Sequence, residues 1–284
     1  MFRTFALVAV AALASPACVD LVSADIGRVI ARDEKHFTVE GRPEVSVSTF
    51  DGSIEVRPWD RKDVEVVVEK RAATKESADT IEVDAKQNGN AISVDVRVPA
   101  RHAFGFHMSR SAKLIVSLPA GSDLAAKSGD GSIDVERISG KIDLHSGDGS
   151  IKARSLEGDV TVTTGDGSVT ADGRFASLRA HSGDGSLRIS AAPGSSTAKD
   201  WDVSTGDGSV VFEIPNDLNA ELDAHTGDGR IRLDGVSVSN VNGELRRNSV
   251  RGRLGAGGAT LRIRTGDGSI TLRSARPSGT GDTR

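Results

Sequence analysis

The residues with the clearest chemical potential are aspartates in a repeated turn motif, Ser/Thr-Gly-Asp-Gly. The motif begins at Ser128, Ser146, Thr164 and Ser182, at intervals of 18 residues, and it recurs at wider intervals further along the chain. Stacked repeats would place the motif aspartates in one column, and carboxylate oxygens are ligands that Ca²⁺ prefers. The column consists of Asp130, Asp148, Asp166, Asp184, Asp207, Asp228 and Asp267.

Two interpretations of these aspartates remain open, and the structural one is favoured. Each carboxylate can accept hydrogen bonds from the backbone amides of its own turn, as in an Asx turn. In the calcium-binding β-roll the Asp follows the glycines, whereas Asp148 stands between Gly147 and Gly149. The sequence therefore predicts no cofactor, with calcium at the turn aspartates as the alternative.

A second candidate site is an aromatic, basic loop that interrupts the repeat pattern. His102 and His107 flank Phe104 and Phe106, which are two of only eight phenylalanines. Aromatic loops that project from a rigid scaffold are suited to contact a partner. The alternative is that the two phenylalanines cover the open end of the apolar core, because terminal repeats must shield it.

The sequence shows no unique combination of a nucleophile, an acid and a base. The Ser or Thr that opens each turn recurs in every repeat and points inward by alternation, so we predict a structural role for it. We therefore predict that the protein is not an enzyme. A β-helix enzyme acting on polysaccharide is the alternative, and it would require paired carboxylates in one groove.

Apolar residues alternate on both sides of each turn. Ile142 and Leu144 precede one turn, and Ile151 and Ala153 follow it. A period of two indicates strands with one buried face. A single repeat cannot bury this face alone, but repeats stacked about 4.8 Å apart pair every backbone group and form a continuous core. The pattern predicts an all-β, β-helix-like solenoid of stacked two-strand coils of about 18 residues with Gly-Asp-Gly turns, and a long antiparallel meander is the alternative.

The repeats divide the chain into segments. A further turn lies upstream at Asp51, and a worn copy of the motif is predicted at Ser249–Leu254. Alternating strands also occur before the regular repeats, without their spacing. The predicted segments are a signal peptide at 1–17, a linker at 18–35, irregular β coils at 36–120, regular solenoid repeats at 121–273 and a disordered tail at 274–284.

The N-terminal residues have the layout of a signal peptide. The apolar run from Phe5 to Ala14 is too short to span a bilayer as a helix, and small residues follow it. Export to the cell envelope or the exterior is therefore expected. Cys18, the only cysteine, follows Ala17. Its acylation, as in a lipoprotein, is an open alternative to ordinary cleavage and would be the chain's one attachment to a membrane.

Composition excludes one class of partner. The chain has 36 basic and 40 acidic residues and a net charge of −4, so it lacks the basic footprint of a nucleic-acid-binding protein. Aromatic residues make up only 4% of the chain, and glycines number 32. This balance suits many tight turns around a thin core of small and branched side chains.

With these motifs, the sequence resembles a family of exported bacterial proteins labelled putative adhesins, which are built on a β-repeat domain of unknown function. The resemblance rests on Phe37–Val39, Asp51–Val56, Val116–Pro119, the serial turns and Arg251–Gly258. It implies a β-helical fold and a surface or envelope location, and it implies no catalytic residues. We expect a binding, adhesion or scaffold module whose ligand is an envelope or surface protein or polysaccharide. A calcium-dependent β-roll-like module is a further alternative.

Overall fold

The computed structural model describes residues 23–25, 28–99, 110–239, 241 and 246–275. These residues form 21 strands and one short helix, so the fold is all-β, as predicted. The elements are β1 (Ser23–Asp25), β2 (Arg28–Thr38), β3 (Glu44–Thr49), β4 (Ile54–Trp59), β5 (Asp63–Ala72), α1 (Lys75–Asp79), β6 (Glu82–Asn88), β7 (Ala91–Arg97), β8 (Ser111–Pro119), β9 (Asp123–Ser128), β10 (Ile133–Glu136), β11 (Ser139–Ser146), β12 (Ile151–Thr164), β13 (Val169–Ser182), β14 (Leu187–Ala191), β15 (Trp201–Thr205), β16 (Val210–Ile214), β17 (Ala220–Thr226), β18 (Ile231–Asp234), β19 (Ser249–Leu254), β20 (Thr260–Thr265) and β21 (Ile270–Ser274).

Several predicted features lie outside the described residues. They are the signal peptide at 1–17, Cys18, the aromatic loop with His102, Phe104, Phe106 and His107, and the tail from residue 276 onward. Residues 28–35, which fall in the segment predicted as a linker, belong to β2.

The strands stack as two parallel columns, one before and one after each turn. In the first column, Ile142 pairs with Leu124 and with Val160, which are 18 residues away on either side. In the second column, Ile151 pairs with Ile133 and with Val169 at the same interval. Alternate side chains along most strands of the two columns are buried, as in β11 and β13, so the apolar residues of both columns meet in one core between them.

In two coils the corner opposite the turn lies within a continuous strand, because β12 and β13 each run from one column into the other. Gly140 pairs with Gly158 in the contact between β11 and β12. Gly158 has a φ of +116°, and a Cβ at this position would lie 2.3 Å from the carbonyl oxygen of Gly140. Glycine is therefore required for the chain to bend while adjacent coils remain at hydrogen-bond distance.

The hydroxyl residue that opens each turn joins neighbouring coils. The Ser182 hydroxyl donates to the carbonyl of Gly167 in the preceding coil at 2.9 Å, and it accepts from the amide of Gly185 in its own turn at 2.9 Å. These hydroxyl groups are buried, so each one satisfies backbone groups that water cannot reach. The same bond to the neighbouring turn is made by Ser128, Ser146, Thr164, Thr205, Thr226 and Thr265.

At the N-terminal end, the chain order and the spatial order of the coils differ. The outermost coil consists of β7 and β8, which pair in parallel with β3 and β4, although β3 and β4 come earlier in the chain. Antiparallel strands cover this coil: β6 pairs with β7, β5 pairs with β8, and β2 pairs with β5. Helix α1 contacts β2 and β5, and it buries Ala78. These elements close the end of the core.

The C-terminal end shows a second exchange of order. Strands β20 and β21, the last in the described part of the chain, lie between the coil of β15 and β16 and the coil of β17 and β18. The turn aspartates therefore follow the spatial order Asp207, Asp267, Asp228. The predicted worn turn at Ser249–Leu254 is wrong, because these residues form β19, which pairs antiparallel with β17.

Candidate functional site

The turn aspartates form a column with one carboxylate at the turn of each coil, except for the coil of β7 and β8, whose turn lies outside the described residues. At one end of the column, burial and, secondly, the charge of Asp130 raise the pKa of Asp51. No three of these aspartates bring their carboxylate oxygens within 4.8 Å of one another. Among the described residues, the ligand atoms of Glu34, His36 and Glu65 do lie within this distance. Because Ca²⁺ takes six to eight oxygen ligands, this arrangement does not favour the calcium alternative.

The predicted binding loop with His102, Phe104, Phe106 and His107 lies outside the described residues. The strands before and after it, β7 and β8, form the outermost N-terminal coil. A proposal that this loop binds a partner therefore stays a prediction.

A groove of about 880 Å³ lies on the outer face of the first column near its N-terminal end. Its floor is one row of residues in register across three strands: Ser93 on β7, Ser46 on β3 and Ala125 on β9. The row continues to Lys86 on β6 at one side and to Asp143 on β11 at the other. Three short side chains thus lie between a cation and a carboxylate, which creates a depression about three strands wide.

The polar groups around this groove are held in place by hydrogen bonds. Asp123 accepts from Arg42 Nε at 3.0 Å and from the amide of Lys141 at 2.8 Å. The Gln87 side chain donates to the carbonyl of Thr38 at 2.7 Å. The groove therefore offers carboxylates, hydroxyls, amides and ammonium groups to a ligand, and hydrogen bonds hold Asp123 and Gln87 in place among them.

Sequence reasoning did not find this groove. Ser46, Ser93 and Ala125 are ordinary outward-facing residues of alternating strands, and they are far apart in the chain. They become neighbours only because β3 lies between β7 and β9 in the sheet, with β7 on the edge of β3 toward the N-terminal end of the stack and β9 on the opposite edge. No repeat interval in the sequence indicates this exchange.

The described part of the chain contains no helix that could cross a membrane, since α1 has only five residues.

Comparisons with known proteins place the chain in a family. No curated protein matches the sequence. Similar solved structures include a putative cell adhesion protein from Clostridium sporogenes, with 12% identity over 87% of this chain and 100% of that chain and a TM-score of 0.42. A putative adhesin from Bacteroides fragilis has 12% identity over 85% and 96% of the two chains and a TM-score of 0.44. A putative lipid binding protein from Parabacteroides distasonis has 12% identity over 85% and 96%, with a TM-score of 0.43.

The sequence comparison is more decisive, because it covers most of the chain. The model of the Toastrack domain, DUF4097, matches residues 43–199 and again 160–273. The chain therefore belongs to the Toastrack DUF4097 family, whose fold is β-solenoid-like.

Proposed function

We propose that the protein is a non-catalytic binding module of the cell envelope and that the groove over Ser46, Ser93 and Ala125 binds a polysaccharide. The observation that carries the proposal is the groove itself, a wide depression with a floor of small side chains and a border of polar groups. The envelope location is supported by the signal-peptide layout of residues 1–17.

The chemistry of the groove favours a hydroxyl-rich ligand. Each sugar hydroxyl can donate one hydrogen bond and accept others, so it can pair with a carboxylate such as Asp143 and with an ammonium group such as Lys86. The described residues that line the groove include no Trp, Tyr, Phe or Arg. These types, apart from Phe, dominate the energetic centres of protein interfaces, so a protein ligand fits the groove less well.

The sheet also disfavours an extended peptide. Strands β7, β3 and β9 are each paired on both sides, with β6, with one another and with β11. The floor therefore presents no free strand edge to which a peptide could add by backbone hydrogen bonds. A ligand must bind through the outward side chains.

The rigidity of the strands that form the floor also supports ligand binding in this groove. The floor strands are part of a parallel stack in which backbone groups pair along the column, and Val47 and Ala126 anchor β3 and β9 in the core. Because the groove is already formed, little conformational entropy is lost when a ligand binds.

The test fills the groove without disturbing the core. Ala125 is exposed on the floor, so Ala125→Phe should occupy the groove and weaken binding to a cognate polysaccharide at least tenfold, about 1.4 kcal/mol. The full chain would be screened on an array of bacterial surface polysaccharides, and the bound glycan would then be titrated by interferometry.

Thr170→Phe is the matched control, because Thr170 is exposed on the outer face of the second column. It should bind like the unaltered protein. Equal polysaccharide affinity of the Ala125→Phe and Thr170→Phe variants would show that the groove is not the binding site. Absence of polysaccharide binding, or capture of an envelope protein in its place, would contradict the ligand class.

A further inference from the structure

A cluster of three potential metal ligands lies on the antiparallel pair β2 and β5, separate from the groove. His36 is directly opposite Glu65. Glu34 precedes His36 by two residues and therefore projects from the same face of β2. The side-chain ligand atoms of these three residues all lie within 4.8 Å of one another, and His36 Nδ1 is 3.5 Å from Glu65 Oε2.

These separations are close to those around a bound ion. Metal–ligand distances of about 2.0–2.1 Å in a tetrahedral zinc site place neighbouring ligand atoms roughly 3.3 Å apart. The His36–Glu65 pair is already near this value. Glu34 has a long side chain that is 34% exposed, so a rotamer change can bring its carboxylate closer without moving the strand.

The charges are also suited to a dication. An imidazole that binds a metal ion must be neutral, so in the metal-bound form the two carboxylates supply the charge that a divalent ion would neutralise. Arg32 approaches Glu34 only to 3.9 Å, beyond hydrogen-bond distance, so this guanidinium competes weakly for the carboxylate. On the other side of Glu65, the residue in register is the uncharged Ser117 of β8.

We propose that Glu34, His36 and Glu65 form a Zn²⁺ site. A ligand set of one imidazole nitrogen and two carboxylate oxygens suits zinc, whereas Ca²⁺ and Mg²⁺ take oxygen ligands. The His36 side chain is 49% exposed, so the solvent side leaves room for a water molecule as the fourth ligand. The ion would link β2 to β5 at the N-terminal end of the stack.

The test is calorimetric titration of the full chain with zinc chloride in a buffer without chelators. One ion should bind per chain at this site, and calcium chloride should give no heat from it. His36→Ala and Glu65→Gln should each weaken zinc binding at least about tenfold, because loss of even an outer-shell partner has an effect of that size. Circular dichroism would verify that both variants retain the strand spectrum.

Because the chain has six histidines, control variants are needed to show that zinc binds at His36 and not at another histidine. His181→Ala removes an exposed imidazole from the outer face of β13 and should leave the affinity unchanged. His102→Ala/His107→Ala removes the two histidines of the aromatic loop and should also leave it unchanged. Unaltered affinity in His36→Ala, or its loss in either control, would overturn the proposed site.

Discussion

The central coils and the two ends of this molecule use different means to achieve the same strand stacking. From β9 to β16, spatial order follows chain order and every coil pairs in parallel with the one before it. At both ends the order is exchanged, and antiparallel strands cover the terminal coils. Where each coil has a similar neighbour on both sides, the sequence repeat determines the register of the paired strands. A terminal coil has such a neighbour on one side only, so a different kind of strand must cover its free edge.

In the centre, glycines permit close approach of the turns, and buried hydroxyls bond one turn to the next. The same contacts continue into the C-terminal coils at Thr226 and Thr265, where ion pairs are added to them. At the C-terminal end, Asp223 of β17 lies between two cations, accepting from Arg264 of β20 at 2.7 Å and from Arg251 of β19 at 3.1 Å. Ion pairs of this kind can hold strands together where no repeat continues.

The largest expected effect is from Gly167→Ala in the centre. A Cβ at Gly167 would lie 2.2 Å from the carbonyl oxygen of Gly149 in the neighbouring turn, so the two coils must separate. We expect the free energy of unfolding to fall by about 3 kcal/mol, measured by urea denaturation. Gly121→Ala is the matched control, because nothing lies within 4 Å of its added Cβ. Equal losses in the two variants would show that turn stacking is not the cause.

A smaller effect is expected from Asp223→Asn at the C-terminal end. The hydrogen bond from Arg264, and then that from Arg251, lower the pKa of Asp223 despite desolvation. Because the folded pKa lies below the unfolded one, the stabilisation is present above the unfolded pKa and is lost as the pH falls through the folded pKa. The variant should therefore lose about 1 kcal/mol of stability at pH 7, and this difference should vanish in strong acid.

The comparison for this variant is Asp202→Asn. Asp202 makes a single, longer ion pair with Arg262, at 3.5 Å, so its loss should change stability less. Thermal unfolding of both variants at pH 7 and in strong acid would measure the difference. A loss at Asp223 that is independent of pH would contradict the ion-pair explanation.

The smallest effect, with the opposite sign, is expected from Asp51→Asn. Burial, followed by repulsion from Asp130, raises the pKa of Asp51, so the contribution of this group to stability is lost as the pH rises through the folded pKa. At pH 7 the charged group is unfavourable, and its removal should stabilise the protein by less than about 0.5 kcal/mol, since Asp51 is only partly buried and solvent screens its charge. The gain should be absent below the unfolded pKa.

Asp130→Asn tests the repulsion between Asp51 and Asp130 by removing the charge of the second residue. It should also raise the melting temperature at pH 7, and the double variant should gain less than the sum of the single variants, because both remove one shared interaction. Full additivity would show that burial alone accounts for the raised pKa of Asp51.

The sequence predicted the all-β fold because hydrophobic alternation and the recurring turn depend only on local spacing. The strands around Ile142 and Ile151 and the inward hydroxyl of Ser146 follow from this pattern. The exchanged order at the ends could not be predicted in this way, because antiparallel strands such as β19 have no repeat interval to their partners. The sequence therefore wrongly predicts a worn turn at Ser249–Leu254.

The candidate sites were harder to predict than the fold. The groove depends on the contact between Ser46 and Ser93, which exists because a later strand packs outside an earlier one. The zinc ligands His36 and Glu65 face each other across an antiparallel pair, and β2 begins in a segment interpreted as a linker. Such sites arise from strands that pair although they are far apart in the chain, and an 18-residue repeat carries no information about these pairings.

The place of β20 and β21 has a consequence for how the molecule is made. A chain is synthesised from its N-terminus, so residues 260–274 emerge after both of the coils that flank them in the finished stack. The coil of β17 and β18 can therefore take its final place in the stack only with or after β20 and β21, because its parallel partners are these two strands. Until residues 260–274 are in place, the outer edges of β15 and β16 remain available for pairing with other chains.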